Sequence, residues 1–217
     1  MSYKLLFLIL PLFVFAQEII QTPIKFTQKR IDLTKEYIKI HYEKDVDDIK
    51  IVPKIILIHH TAIDDYEDSL SRFADETLPS RRSDISSGSP SANVSAHFMV
   101  ERDGTIHQLM PMDFMARHVI GLNYNSIGIE NVGGENSKDN LTDAQLKSNI
   151  FLIDYLKDKF KTIEYLVAHS EYRCFEGHEL FLEVDENYRT KKDDPSSRFM
   201  NELRTNTSNL KMAPCGK

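Results

Sequence analysis

A short apolar run near residue 55 constrains the fold more than any other feature of the sequence. Residues 55–58 read Ile-Ile-Leu-Ile, without any alternation of apolar and polar positions, and residues 59–61 read His-His-Thr. A strand that is apolar on both faces is typical of the centre of a sheet that other elements cover on both sides. The run therefore predicts a buried strand whose carboxyl end carries polar side chains able to do chemistry.

Other segments predict further strands around this one. Residues 94–101 and 105–110 flank Arg102-Asp103-Gly104, and Gly104 can supply the positive φ of a tight turn, so a hairpin is expected. Apolar runs over 126–132 and 165–168 predict two more strands. The sheet is thus expected to have at least five strands.

Helical periodicity appears in three places. Apolar residues within 31–41 predict an N-terminal helix, and Thr142-Asp143-Ala144-Gln145 has the capping-box pattern that begins a helix of about five turns. Residues 199–203 predict a short C-terminal helix. Strands and helices alternate without a Gly-rich phosphate loop, so the predicted class is α/β, a central mixed β-sheet flanked by helices and without a nucleotide site.

The first sixteen residues differ from the rest of the chain. Lys4 precedes an unbroken apolar run over 5–16, which is the length of a signal-peptide core and shorter than the roughly 18 residues that span a bilayer. Val14 and Ala16 are small residues before a cleavage point at Gln17. We expect a signal peptide over 1–16 and export to the periplasm or the medium, with no membrane span after its removal; an uncleaved anchor is the alternative.

The net charge restricts the kinds of partner that the chain can bind, and the cysteine content bears on the cellular compartment. The formal net charge is −6, which argues against a duplex nucleic-acid binder, because such proteins usually present a basic face to the phosphates. Only Cys174 and Cys215 are present, so an exported chain has either one disulfide or two free thiols. Residues 64–92 are rich in Asp, Ser, Arg and Pro and are expected to form a long loop, either a rim of the site or a plain insertion.

Two predicted strands end in histidine. His59 and His169 each follow an apolar run, and imidazoles held at strand ends are well placed to bind zinc, which needs three protein ligands and one open position. With 8 histidines in the chain, surface or core histidines are the alternative. Hydrogen-bonded structural roles are favoured for His97 and His107, whereas His60 either lines the cleft or packs behind the sheet.

Five segments read together resemble one known family, namely residues 56–61, 95–104, 116–118, 126–130, and His169 followed by 192–195. The chain resembles the zinc-dependent N-acetylmuramoyl-L-alanine amidases, which include the phage lysozyme-type amidases, the anhydromuropeptide amidases and the peptidoglycan recognition proteins. The resemblance covers about residues 50 to 204. It implies that His59, His169 and Asp194 are the ligands of a Zn²⁺ cofactor.

The third ligand has two rivals, because His169 and Asp194 are farther apart than is usual in the family. His178 follows His169 by nine residues and Cys174 is nearer still. Asp194 is favoured because the sequence Lys-Asp-Asp-Pro at 192–195 matches the family's local pattern. The extra length implies an insertion between about residues 174 and 189, whose acidic residues are expected to form an exposed excursion: Glu183, Asp185 and Glu186.

The same resemblance assigns catalytic roles. It implies that Glu130 is the general base and that Lys192, with His118, stabilises the oxyanion. Arg117 stands where the family usually has an aromatic residue, which puts substrate stacking in doubt.

The expected function is hydrolysis of the amide between N-acetylmuramic acid and L-alanine, in peptidoglycan or its fragments. A peptidoglycan-binding protein without activity and a zinc peptidase that cuts within the stem peptide are the alternatives. The expected organisation is a signal peptide over 1–16, an N-terminal helical extension over 17–48 and a zinc amidase domain over 49–217. We expect a monomer whose partner is peptidoglycan or a muropeptide, not nucleic acid.

Overall fold

The structure is a computed structural model that describes residues 17–80, 82, 85, 92–207 and 209–215. The predicted signal peptide over 1–16 lies outside the described residues, as does most of the polar stretch between 81 and 91. Within the described ranges, every helix is too short or too polar to cross a bilayer.

Six strands of the described residues form one mixed sheet: β1 (Ile19–Gln21), β2 (Ile55–His60), β3 (Phe98–Val100), β4 (Ile106–Gln108), β5 (Ser126–Asn131) and β6 (Tyr165–Ala168). Their spatial order is β1-β4-β3-β5-β2-β6. Strands β3, β5, β2 and β6 run parallel, whereas β4 is antiparallel to β3 and parallel to β1. The predicted mixed sheet and the β3–β4 hairpin are confirmed, and β2 is an interior strand that lies between β5 and the edge strand β6.

In the part of the chain that the structure describes, four α-helices accompany the sheet: α1 (Gln28–Tyr42), α2 (Tyr66–Ala74), α3 (Asp143–Lys159) and α4 (Ser197–Asn206). The predicted capping box of α3 is present, because Thr142 Oγ1 accepts from the Gln145 N–H at 3.1 Å and Gln145 Oε1 accepts from the Thr142 N–H at 3.0 Å. Short 3-10 turns lie at Asn123–Asn125, Glu135–Ser137 and His169–Phe175.

Strand β2 has a hydrophobic core on each face. Ile56 and Ile58 pack in a cluster with residues of α3 and α4, whereas Ile55 and Leu57 pack in a second cluster with residues of α1 and the C-terminal loops. All four side chains are fully buried. Each such side chain contributes roughly 1.5–3 kcal/mol by leaving water, so burial on both faces stabilises the strand that carries His59 near its end.

Two elements differ from the sequence-based expectation. Residues 66–74 were expected to be loop but form α2, because Asp65 Oδ1 accepts from the Asp68 N–H at 2.9 Å as an N-cap and Phe73 is buried. Strand β1 was not expected. It is a three-residue edge strand that gains its stability from pairing with β4 and has too few residues for a visible pattern.

The inserted segment is only partly the exposed excursion that its charge suggested. Asp185 and Glu186 are exposed, but Glu183 is buried and both of its carboxylate oxygens lie 3.0 Å from His41 Nδ1 in α1. Tyr188 is also buried. The expectation was wrong for Glu183, because a partner on α1 offsets the cost of burying its carboxylate, and it was right for Asp185 and Glu186.

A disulfide joins Cys174 to Cys215, with their Cα atoms 4.7 Å apart. It ties the C-terminal segment to the 3-10 turn after β6. Of the two alternatives, one disulfide or two free thiols, the structure contains the disulfide. The two residues are 41 positions apart in the chain. A bridge that closes a loop of this length stabilises the fold by about 3 to 4 kcal/mol in the chain-entropy model.

Candidate metal centre

Three parallel strands bring polar residues to one edge of the sheet. His59 near the end of β2 is paired in register with Glu130 near the end of β5, and His169 directly follows β6. Asp194 arrives from the segment before α4, where its backbone carbonyl accepts from the Ser170 N–H at 2.8 Å. The carboxyl ends of parallel strands are the usual place for a site in an open α/β sheet.

His59, His169 and Asp194 form a compact buried cluster. The Nδ1 atoms of the two histidines are 2.9 Å apart, and Asp194 Oδ2 lies 3.0 Å from His169 Nδ1 and 3.4 Å from His59 Nδ1. Ligand atoms about 2.0–2.2 Å from a tetrahedral zinc ion lie about 3.3 Å from one another. Two imidazoles and a carboxylate at these separations therefore fit one zinc ion and leave a fourth position open.

The surroundings of His59 and Asp194 favour the deprotonated forms of these two side chains, which are the forms that bind metal. Burial, followed by the charge of His169, lowers the pKa of His59 to about 4. Burial opposes ionisation of Asp194, but the charge of His169 and the hydrogen bond with His169 hold the pKa of this carboxyl well below its usual range. A neutral imidazole and an ionised carboxylate are the required ligand states.

Glu130 faces the same region and has an unusual environment. Burial first, and then the negative charge of Asp194, raise the pKa of Glu130 to about 8, while the positive charge of Lys192 acts in the opposite direction. Its Oε2 atom is buried and accepts no hydrogen bond from the described part of the chain. Since leaving a buried polar atom unpaired is costly, this oxygen is placed to engage a ligand.

A cavity of about 360 Å³ opens over the cluster and includes Glu130 and Lys192 in its walls. Arg72 of α2, Arg82 and Lys191 also line it. Part of the 64–92 segment therefore does form a rim of this cleft.

His118 lies next to His59 in the cavity wall. Its Nδ1 is 2.9 Å from His59 Nε2 and its Nε2 is 3.1 Å from Ser126 Oγ, so both ring nitrogens are hydrogen-bonded inside the protein. Burial, and then the charge of His59, lower the pKa of His118 well below its ordinary value. A neutral ring with both nitrogens engaged has no N–H left for an oxyanion, so this placement does not support the role that the resemblance implied.

Arg117 is buried and holds loops together. Its guanidinium donates to the backbone carbonyls of Ile85 and Ala92 and to the Tyr188 hydroxyl, and it lies 4.7 Å from the centre of the Tyr37 ring. The side chain that replaces the family's usual aromatic residue thus packs within the protein, where it joins α1 to the inserted segment.

The rival third ligands lie elsewhere. His178 accepts from the Leu180 N–H at 3.2 Å and packs near the Tyr165 ring, and Cys174 is in the disulfide. Among the described residues, Asp194 is the carboxylate that joins the two histidines.

The other histidines have structural contacts. His97 is fully buried between the Gly128 N–H, at 3.0 Å, and the Phe114 carbonyl, at 2.8 Å. Both ring nitrogens of His107 are hydrogen-bonded, one to a hydroxyl and one to a carboxylate. His60 is half-buried and lines the cavity. These placements agree with the structural roles favoured for His97 and His107.

Sequence reasoning missed two residues that support the site. Ser126 contacts His118, and a Cβ atom on Gly128 would lie only 2.8 Å from the His118 ring. An isolated glycine inside a strand indicates a close approach of this kind, so Gly128 carried a signal that could have been used.

Comparison with known proteins places the chain among cell-wall amidases. The family model described as N-acetylmuramoyl-L-alanine amidase matches residues 50–197. An endolysin of Klebsiella phage KP32 is 35% identical over 83 residues, which cover 36% of this chain and 54% of that protein. The chain thus spans about half the length of this relative.

Two solved structures share the fold. The N-acetylmuramoyl-L-alanine amidase LysC from Clostridium intestinale URNW has a TM-score of 0.52 at 19% identity, covering 90% of this chain and 100% of LysC. A selenomethionine derivative of AmpD has a TM-score of 0.53 at 20% identity, covering 89% of this chain and 97% of AmpD. At these identities the likeness is one of fold.

Proposed function

The chain belongs to the N-acetylmuramoyl-L-alanine amidase family, and from this premise we propose that it is a zinc-dependent hydrolase of peptidoglycan or its fragments. The bond cleaved is the amide between N-acetylmuramic acid and L-alanine. The observation that carries the proposal is the buried cluster of His59, His169 and Asp194 beside the unpaired Oε2 atom of Glu130.

The two histidines and Asp194 would hold Zn²⁺, which when bound supplies Lewis acidity at the scissile carbonyl and lowers the pKa of water. Glu130 takes a proton from the attacking water at Oε2 and later returns it to the nitrogen of the departing L-alanine. Lys192 places a positive charge beside the cluster and stabilises the negative charge that develops on the carbonyl oxygen. The amide C–N bond breaks, leaving a carboxyl group on the sugar and a free amine on the peptide.

The proposal includes location and partner. Peptidoglycan lies outside the cytoplasmic membrane, so we propose an exported protein that acts as a monomer on the wall or on muropeptides. Export rests on the predicted signal peptide. The division into an extension over 17–48 and a zinc amidase domain over 49–217 remains a prediction, although β1 pairs with β4 and α1 packs on the sheet.

Digestion of purified sacculi tests the proposal. We expect the zinc-loaded protein to release stem peptides with a free L-alanine amine, and mass spectrometry of the soluble products identifies them. Shortened peptides, with L-alanine still on muramic acid, would instead indicate a peptidase. Co-sedimentation with sacculi without any soluble product would indicate a binding protein.

A further inference from the structure

A chain of hydrogen bonds connects the backbone of Leu122 to the cluster. Ser126 Oγ lies 2.8 Å from the Leu122 carbonyl oxygen and 3.1 Å from His118 Nε2. On the other side of the ring, His118 Nδ1 lies 2.9 Å from His59 Nε2. Four groups on three segments of the chain are thereby joined in one row.

The carbonyl at the end of this row sets its direction. A carbonyl oxygen only accepts, so Ser126 gives its single hydroxyl proton to Leu122 and accepts from His118 at Nε2. A neutral imidazole that donates at one nitrogen accepts at the other. His118 Nδ1 therefore accepts from His59 Nε2–H, and the lone pair of His59 is left on Nδ1, the atom that faces His169 and Asp194.

The opposite direction would disable the cluster. If Ser126 donated to His118, then His118 would donate to His59 Nε2, and the proton of His59 would sit on Nδ1. That proton would point between His169 and Asp194 and would occupy the lone pair that a metal needs.

Strand β5 supplies residues that hold His118 and make room for its ring. Ser126, Gly128 and Glu130 alternate along it and so share one face. Ser126 holds His118, and Gly128 leaves room for the ring that a Cβ atom would meet at 2.8 Å. Asn123 Oδ1 fixes the backbone of His118 by accepting its N–H at 2.8 Å.

We propose that His118 and Ser126 are positioning residues that lock His59 in its Nε2–H tautomer and so prepare Nδ1 to bind metal. The inference rests on the proposed function only in taking the cluster as a metal site. Removing the partner of a metal-binding histidine typically costs 10- to 100-fold in metal affinity. His118 thus acts through His59 and does not contact the substrate's reacting atoms.

Two substitutions at residue 118 test the proposal. His118→Phe removes both nitrogens, whereas His118→Gln keeps an acceptor toward His59 and a donor toward Ser126. Zinc affinity is measured by competition with a chromophoric chelator, and the tautomer of His59 in the zinc-free protein by long-range ¹⁵N–¹H NMR. His107→Gln, at a buried histidine outside the cluster, is the matched control.

We expect about 10- to 100-fold weaker zinc binding and a mixed His59 tautomer in His118→Phe, with substantial recovery of both in His118→Gln. Ser126→Ala, measured in the same way, should shift the tautomer in the same direction and serves if the phenylalanine variant does not fold. An unchanged tautomer and an affinity within about twofold of the parent protein in these variants would overturn the proposal. If the parent protein bound no zinc, that result would count against the proposed function. The tautomer of His59 in the same protein would still test whether His118 and Ser126 position it.

Discussion

Glu130 should make the metal-free protein less stable as the pH rises. Burial and the charge of Asp194 raise its pKa from 4.5 to about 8. Between these values the unfolded chain releases the proton while the folded protein retains it, so the free energy of unfolding falls with increasing pH. Below pH 4.5 the carboxyl group is protonated in both states, and above pH 8 the loss is complete.

The size of the effect follows from the two pKa values. One pKa unit corresponds to about 1.4 kcal/mol, so the interval from 4.5 to about 8 amounts to about 5 kcal/mol when fully developed. At pH 7 the folded group is still mostly protonated, and the loss is about 3 kcal/mol. Glu130→Gln keeps the shape of the side chain without its titration, so the variant should avoid this loss.

Urea denaturation of both metal-free proteins between pH 4.5 and 8 measures the effect. The advantage of Glu130→Gln should grow by about 3 kcal/mol between pH 4.5 and 7 and should shrink when zinc is added, because the ion favours the carboxylate. Glu186→Gln, at an exposed position, is the matched control. Parallel stability curves for Glu130→Gln and the parent protein would refute the reasoning that places Glu130 in a low-dielectric environment.

Three further outcomes are expected from the site. Glu130→Ala should retain stoichiometric zinc and lose stem-peptide release by about 10²- to 10⁴-fold, measured on sacculi with metal analysis alongside. Asp194→Ala should lose both zinc and activity. Cys174→Ser should keep zinc and lose about 2 to 5 kcal/mol of stability with the disulfide. If Asp194→Ala kept zinc and Cys174→Ser lost it, the proposed ligand set would be wrong. Zinc should dissociate as the pH falls toward about 4, where His59 takes up a proton at Nδ1. Equilibrium dialysis at a series of pH values measures this loss, and dissociation of zinc at neutral pH would contradict the prediction.

Hydrophobic patterning predicted most of the fold. The unbroken apolar run at 55–58 indicated strand β2, and apolar residues at helical spacing after Thr142 indicated helix α3. The helix over 66–74 was missed although Tyr66, Leu70 and Phe73 recur at helical spacing and pack in one cluster, because the polar residues around them were read as a loop. Burial of Glu183 was missed because its partner His41 lies 142 positions away in the chain.

The sequence likewise predicted some residues of the candidate site and not others. Strand-end positions pointed to His59 and His169, because the sheet places both at one edge. Asp194 came from the family resemblance, since no local pattern joins it to residues 25 or more positions earlier. The contacts of His118 with Ser126 and His59 could not be predicted, because they depend on strand register and on the space beside Gly128.

Restoration of activity by metal tests the central claim most directly. The chelated protein is titrated with Zn²⁺ against a defined muropeptide, and release of the peptide with a free L-alanine amine is followed by mass spectrometry. We expect no release from the metal-free protein and full release at one equivalent of zinc per chain. Undiminished release after complete metal removal, or bound zinc with this amide left intact, would contradict the account.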